Sequence, residues 1–170
     1  MTRNDPTPLT LRVADPRDRD VIAEFNVRLA AESEGKQLEP QVVRSGVEHA
    51  LADPARGTYY LAERDGQVVG QTLITREWSD WRDGWFWWIQ SVYVHPDHRG
   101  RGVYRALHEH VEREARSRGD VCGLRLYVDE HNRRAIETYV RLGMSSSGYL
   151  IYETDWSDAI RTSQTTASSS

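Results

Sequence analysis

Apolar positions along the chain fall into two rhythms, one near 3.6 residues and one near 2, and they alternate with turn chemistry. Leu9–Val13 predicts a short first strand. Asp15-Pro16 then caps a helix, with proline near its first turn and Val21, Ile22, Phe25 and Leu29 as its stripe, ending before Gly35. Pro40 opens a second helix, with Val42, Val43, Val47 and Leu51 facing inward and Asp53-Pro54 closing it. Thr58–Glu63 and Val68–Thr75 predict two strands joined by Asp65-Gly66, a two-residue hairpin signal. Residues 77–84, EWSDWRDG, make a polar-aromatic turn.

The run Phe86–Val94 organises the rest of the chain. Strict alternation puts Phe86, Trp88, Val92 and Val94 on one side and Trp85, Trp87, Ile89 and Tyr93 on the other. Both sets are largely apolar, which predicts a central strand covered on both faces. His95-Pro96-Asp97 stops it, because proline cannot donate to a ladder. Val103, Leu107 and Val111 then predict a helix over 103–118 that ends at Gly119. Cys122–Val128 reads as a strand and His131–Leu142 as a helix with Gly143 at its C-cap. Tyr149–Thr154 reads as a last strand. The fold class is therefore a single α/β (α+β mixed) domain over residues 9–156, a central mixed sheet with helices on both faces. Residues 1–8 are expected to be a loose N-terminus, and the polar tail 157–170, ending TSQTTASSS, to be disordered.

Composition narrows the function. With 170 residues the chain has room for one proper core. A net charge of −4 disfavours bulk nucleic-acid binding. One cysteine, Cys122, excludes an internal disulfide and fits a reducing compartment. The start, MTRNDPTPLT, has no apolar signal core, and no run approaches the ~20 residues of a membrane span, so a cytoplasmic location is expected.

Candidate chemistry gathers after the central strand. Arg99-Gly100-Arg101-Gly102 leads into a helix N-terminus, where unpaired backbone N–H groups and the helix dipole favour an anion. A tight turn alone accounts for the same glycines. The segment lacks a P-loop ending and is not GxGxxG, so nucleoside triphosphate and Rossmann sites are disfavoured. His95, His98, His108 and His110 lack metal-site spacing, and no metal is expected. Cys122 has no basic partner in sequence.

Two segments in order resemble the GCN5-related N-acetyltransferases (GNAT family). Arg99 and Gly102 match the family's Arg/Gln-x-x-Gly-x-Gly/Ala motif, with Tyr104 standing where Gly or Ala is usual. Asn132, Ala135, Tyr139 and Gly143 match Asn-x-x-Ala-x-x-x-Tyr-x-x-x-Gly throughout. The resemblance covers residues 10–155 in order of elements and is specific over 86–143. It implies a mostly antiparallel sheet splayed into a V, with acetyl-CoA as cosubstrate. It implies cofactor contacts from Val92, Tyr93, Val94, Arg99, Gly100, Arg101, Gly102, Val103, Tyr104, Asn132, Ala135 and Tyr139, with a bulge near Ser91-Val92. Tyr139 is the expected general acid, since a phenol in a dry site can protonate a departing thiolate. The Tyr104 ring is expected to point outward. Glu32, Glu34, Gln90 and Ser91 are expected at the acceptor. Glu77, Asp80 and Asp83 join the two glutamates as candidates for a base that the sequence leaves unassigned. The partner is expected to be a small-molecule or peptide amine, with no nucleic acid and no membrane; pairing of the last strand with a second copy stays open. The alternative is a non-catalytic acyl-CoA-binding or sensing module on the same fold.

Overall fold

The computed structural model describes residues 8–157, and the chain falls into two compact units, residues 1–129 and 130–170. The expected loose start and polar tail lie almost wholly outside the described residues.

The first unit is built on a five-stranded sheet in the order β1-β2-β3-β4-β5. Strand β1 spans Thr10–Val13, β2 Thr58–Arg64, β3 Gln67–Ser79, β4 Gly84–Val94 and β5 Val121–Arg125. The first three pairings are antiparallel; β5 runs parallel to β4. The β2–β3 hairpin turns on Asp65 and Gly66, whose φ of 54° and 73° are those a two-residue turn matched to strand twist requires. Helix α1 (Arg19–Glu34) ends on Gly35 in the left-handed region, and α2 (Pro40–Ala52) starts on its proline. Both pack on one face, where Ile22, Ala23, Val47, Tyr59 and Leu61 form a core. Helix α3 (Val103–Ser117) covers the other face through Val103, Leu107, Val111 and Ala115, packed on Tyr60, Trp87 and Ile89. Gly70 lies beneath α3 because a Cβ there would sit 2.8 Å from Val103 Cγ1.

Four expectations need correction. Val42 is half exposed, because α2 turns Val43 and Val47 to the sheet instead. Strand β5 stops at Arg125, since its ladder with β4 covers only Trp85–Trp88. Residues 149–154 form no strand; an alternating pattern needs a ladder partner, and none is present among the described residues. Strict alternation in β4 also fails. Gln71 pairs with Tyr93 but Leu73 with Gln90, so Ser91 and Val92 together oppose Thr72. This bulge reverses the parity. Val92 and Val94 join Trp87 and Ile89 under α3, while Tyr93 turns to the α1 face and packs on Phe25 with ring centroids 4.8 Å apart.

In the second unit, α4 (Arg133–Arg141) is capped at its start by Asn132, whose Oδ1 accepts from Ala135 N at 3.1 Å. Its end closes through Gly143 N to Val140 O and Met144 N to Tyr139 O, with Gly143 at φ 87°. That bond pattern is a Schellman cap, for which glycine is favoured.

An ion-pair cluster ties the start of α1 to the sheet. Arg12 donates to both carboxylate oxygens of Asp18 at 2.7 Å and to Glu63 at 2.6 Å. Asp18 is 7% exposed, and its pKa is lowered chiefly by the Arg12 guanidinium. A carboxylate held low stabilises the fold fully above the unfolded pKa of about 3.9, and loses that contribution as pH falls through the folded value. Asp18→Asn should therefore cost about 1.5–3 kcal/mol at pH 7. It should also flatten the loss of stability below pH 4, checked by urea unfolding across that range.

Candidate active site

The bulge creates the site. Ser91 sits at φ 49°, a left-handed conformation that a non-glycine residue adopts at a cost of about 1–2 kcal/mol. Beyond Trp88, β4 has no ladder partner on its β5 side among the described residues, so the two strands part there. The backbone groups of Ile89–Val94 facing that gap are left without a strand to bond. This is the opening expected of a splayed sheet, and Val92, Tyr93 and Val94 lie along it.

At the end of β4, a short 3₁₀ turn (Pro96–His98) leads through Arg99 to Gly100 and Gly102. Both glycines are left-handed, at φ 73° and 76°, and a Cβ on either would meet nothing within 4 Å. Open space therefore lies against the backbone of this turn. The first helical bond of α3 is Ala106 N to Gly102 O, which leaves the N–H groups of Val103, Tyr104 and Arg105 without helical acceptors. These amides and the helix dipole suit a phosphate or pyrophosphate. Val103 contributes only backbone, since its side chain is buried in the core. The Tyr104 ring lies toward the following turn of α3, edge to face with His108, its hydroxyl 3.4 Å from His108 Nδ1. A bulky residue thus stands at a usually small position while its ring is directed down the helix. His108 is buried, and burial lowers its pKa, so it is a neutral partner for the phenol. Arg101 and Arg105 are exposed.

Arg99 is already engaged. Its Nε donates to Val94 O at 2.9 Å and its Nη2 to Glu32 Oε2 at 2.5 Å. Glu32 also accepts from Tyr93 OH at 2.9 Å, and Arg99 is the main cause of its lowered pKa. Glu32 is thereby a brace between α1 and the end of β4. Glu77 is likewise committed, to Arg125 and to the Trp88 indole.

On the α1–α2 face a cavity of about 330 Å³ opens beside the bulge. Leu29, Val43 and Val47 give it apolar walls; Asn26, Tyr59, Ser91 and Glu34 supply the polar lining. Of the expected acceptor residues, Glu34 and Ser91 line this cavity. Gln90 instead donates to Thr75 Oγ1 at 2.5 Å. Behind the cavity, fully buried Gln71 donates from Nε2 to Asn26 Oδ1 at 2.7 Å and to Ser91 O at 3.3 Å. Asn26 in turn donates to Tyr59 OH at 3.0 Å. Burial raises the Tyr59 pKa, and its bonds to Asn26 and Ser91 only partly offset this. Sequence reasoning missed Asn26, Tyr59 and Gln71. The available signal was Gln71, an amide in a strand whose other members are aliphatic residues, glycine and threonine. In the second unit, Tyr139 lies on α4 and is partly buried, Ala135 belongs to its first turn, and Asn132 caps it.

Comparison with known proteins assigns the class. The model of the acetyltransferase (GNAT) family matches residues 22–144, and the chain belongs to that family. It is 32% identical over 144 residues to a mycothiol acetyltransferase of Thermobispora bispora, covering 82% of this chain and 48% of that protein. The chain thus spans about half the length of that relative. It is 30% identical to an aminoalkylphosphonate N-acetyltransferase of Salmonella typhimurium, over 86% of this chain and 92% of that one. Among solved structures, one described as a possible acetyltransferase from Clostridium difficile 630 superposes with a TM-score of 0.82. It has 39% identity and covers 86% of this chain and 97% of that one. No described helix is long and apolar enough to cross a membrane.

The left-handed Ser91 can be tested alone. Ser91→Gly should fold with equal or greater stability, since glycine adopts φ 49° freely. Ser91→Val should lose about 1–2 kcal/mol in urea unfolding, because a β-branched residue resists that conformation.

Proposed function

We propose that the protein transfers an acetyl group from acetyl-CoA to a primary amine by direct attack, without a covalent enzyme intermediate. The observation that carries this reading is one strand, β4. Its bulge leaves backbone groups open toward β5, its far end delivers the Gly100–Gly102 turn, and its other face borders a cavity. Acetyl-CoA supplies an acyl group activated as a thioester; the amine, once deprotonated, forms the new C–N bond as the C–S bond breaks, its surplus N–H proton passing to water while the departing thiolate takes a proton from Tyr139.

The residues present fit such a cosubstrate. Backbone N–H groups from Gly100 to Arg105 would hold the pyrophosphate, and no side chain obstructs the two glycines. The open backbone of Val92–Val94 would hold the extended pantetheine arm and polarise the carbonyl. Tyr139 is assigned the proton delivered to the departing thiolate, on its place in the Asn132–Gly143 segment. Glu34, the carboxylate lining the cavity, is assigned the attraction of the protonated amine. Glu32 is the weaker choice for a base, because Arg99 holds it below the usual carboxylate range.

Thermal unfolding tests cofactor use first. Acetyl-CoA at 100 times its Kd should add about 2.7 kcal/mol, raising Tm by roughly 5–10 °C. A flat response at millimolar acetyl-CoA and with longer acyl-CoAs would remove the reading. Tyr139→Phe should retain that shift and lower kcat by ~10²-fold or more in thiol release with an amine panel. Retained shift with no turnover of any amine by the parent protein would instead favour a binding module.

A further inference from the structure

The cavity beside the bulge carries a statement about which amine it takes. Its lining combines the neutral polar groups of Asn26, Tyr59 and Ser91 with apolar side chains, and has no Arg, Lys or His among the described residues. Its ionisable members are Tyr59, which burial keeps neutral, and Glu34. Glu34 is paired with Lys36 at 2.6 Å, and both are more than half exposed. The arginines of the α1 side are spent elsewhere. Arg28 pairs with Glu24, and Arg99 with Glu32.

An acceptor bearing a carboxylate or phosphonate would have to bring its anion into this space without a counter-charge. Desolvating an unpaired charge is far more costly than burying a hydroxyl or amide that finds a partner. Neutral partners are fixed in place: Gln71 orients Asn26, Asn26 orients Tyr59, and Tyr59 bonds with Ser91. A hydroxyl or amide can both donate to and accept from Asn26, Tyr59 and Ser91, whereas an anion can only accept and keeps its full charge uncompensated by any cation of the lining.

We infer that the acceptor is a small amine whose other polar groups are neutral hydroxyls or amides, and that Asn26 and Tyr59 select it against amines that carry an acid group. The inference rests on the transferase reading and narrows its substrate class. It separates this chain from an aminoalkylphosphonate acceptor, the class named for one relative.

The experiment is calorimetric binding to protein saturated with CoA, using pairs matched in length. 3-Aminopropanol is set against β-alanine and against 2-aminoethylphosphonate, and leucinamide against leucine. The neutral member of each pair should bind at least tenfold more tightly. Tyr59→Phe, which keeps the ring and removes the hydroxyl, should narrow that gap at least threefold. If CoA itself fails to bind, the transferase reading falls and the inference with it. If CoA binds but the acid-bearing members bind equally or better, the inference alone is overturned. CoA binding with no binding by any amine of the panel overturns it as well.

Discussion

The site depends on one extra residue in β4. A strand with an uninterrupted ladder would bond β3 on one side and β5 on the other along its whole length, leaving nothing for a ligand. Two residues, Ser91 and Val92, stand opposite Thr72, and that count has three consequences. Side chains beyond the bulge exchange faces, so Tyr93 meets Phe25 and Glu32 while Val92 and Val94 complete the core under α3. The bulged strand bends and twists more strongly at that point. The Ser91 carbonyl is held by Gln71 from behind, which connects the bulge to the cavity on the α1–α2 face.

Charge is arranged to keep that region quiet. Arg99, the residue that leads into the glycine turn, is bound to Val94 O and to Glu32, so its guanidinium joins α1 to the end of β4. Glu77 neutralises Arg125 at the other end of the strand. At the turn, the exposed Arg101 and Arg105 add full charges to the partial positive charge of the backbone amides, which is fixed in direction and needs no side-chain ordering. The cavity, by contrast, is lined by neutral donors and acceptors and by one carboxylate, Glu34, which Lys36 pairs.

Much of this was legible in the sequence because it is local. Asp65-Gly66, Pro40, Gly35 and Gly143 each mark a boundary through a conformation that few other residues favour, and each boundary falls where its residue indicates. The 3.6-residue stripes of α1 and α3 identify their buried faces for the same reason. The bulge was expected from the family resemblance, but not its effect on parity. Alternation assigns faces only while the ladder is continuous, and the inserted residue leaves no mark in the apolar pattern of Phe86–Val94. Glu32 shows a second limit. A carboxylate late in a helix looks like a surface charge until Arg99, 67 residues away, closes on it. The apolar residues of 149–154 were consistent with a strand, but a strand exists only by pairing, and pairing is not written in one segment.

The parting of β4 from β5 has a further consequence. A row of backbone groups without a strand partner invites another polypeptide to add a strand, the usual hazard at a sheet border. Here the row faces a gap between two strands of the same sheet. Another strand would need about 4.8 Å on each side, and that clearance is absent where the two strands have only begun to diverge. Beside the last ladder pair, Trp88 and Arg125, a further strand therefore cannot enter. The narrow start of the gap that leaves the strand unpaired thus guards it against self-association there.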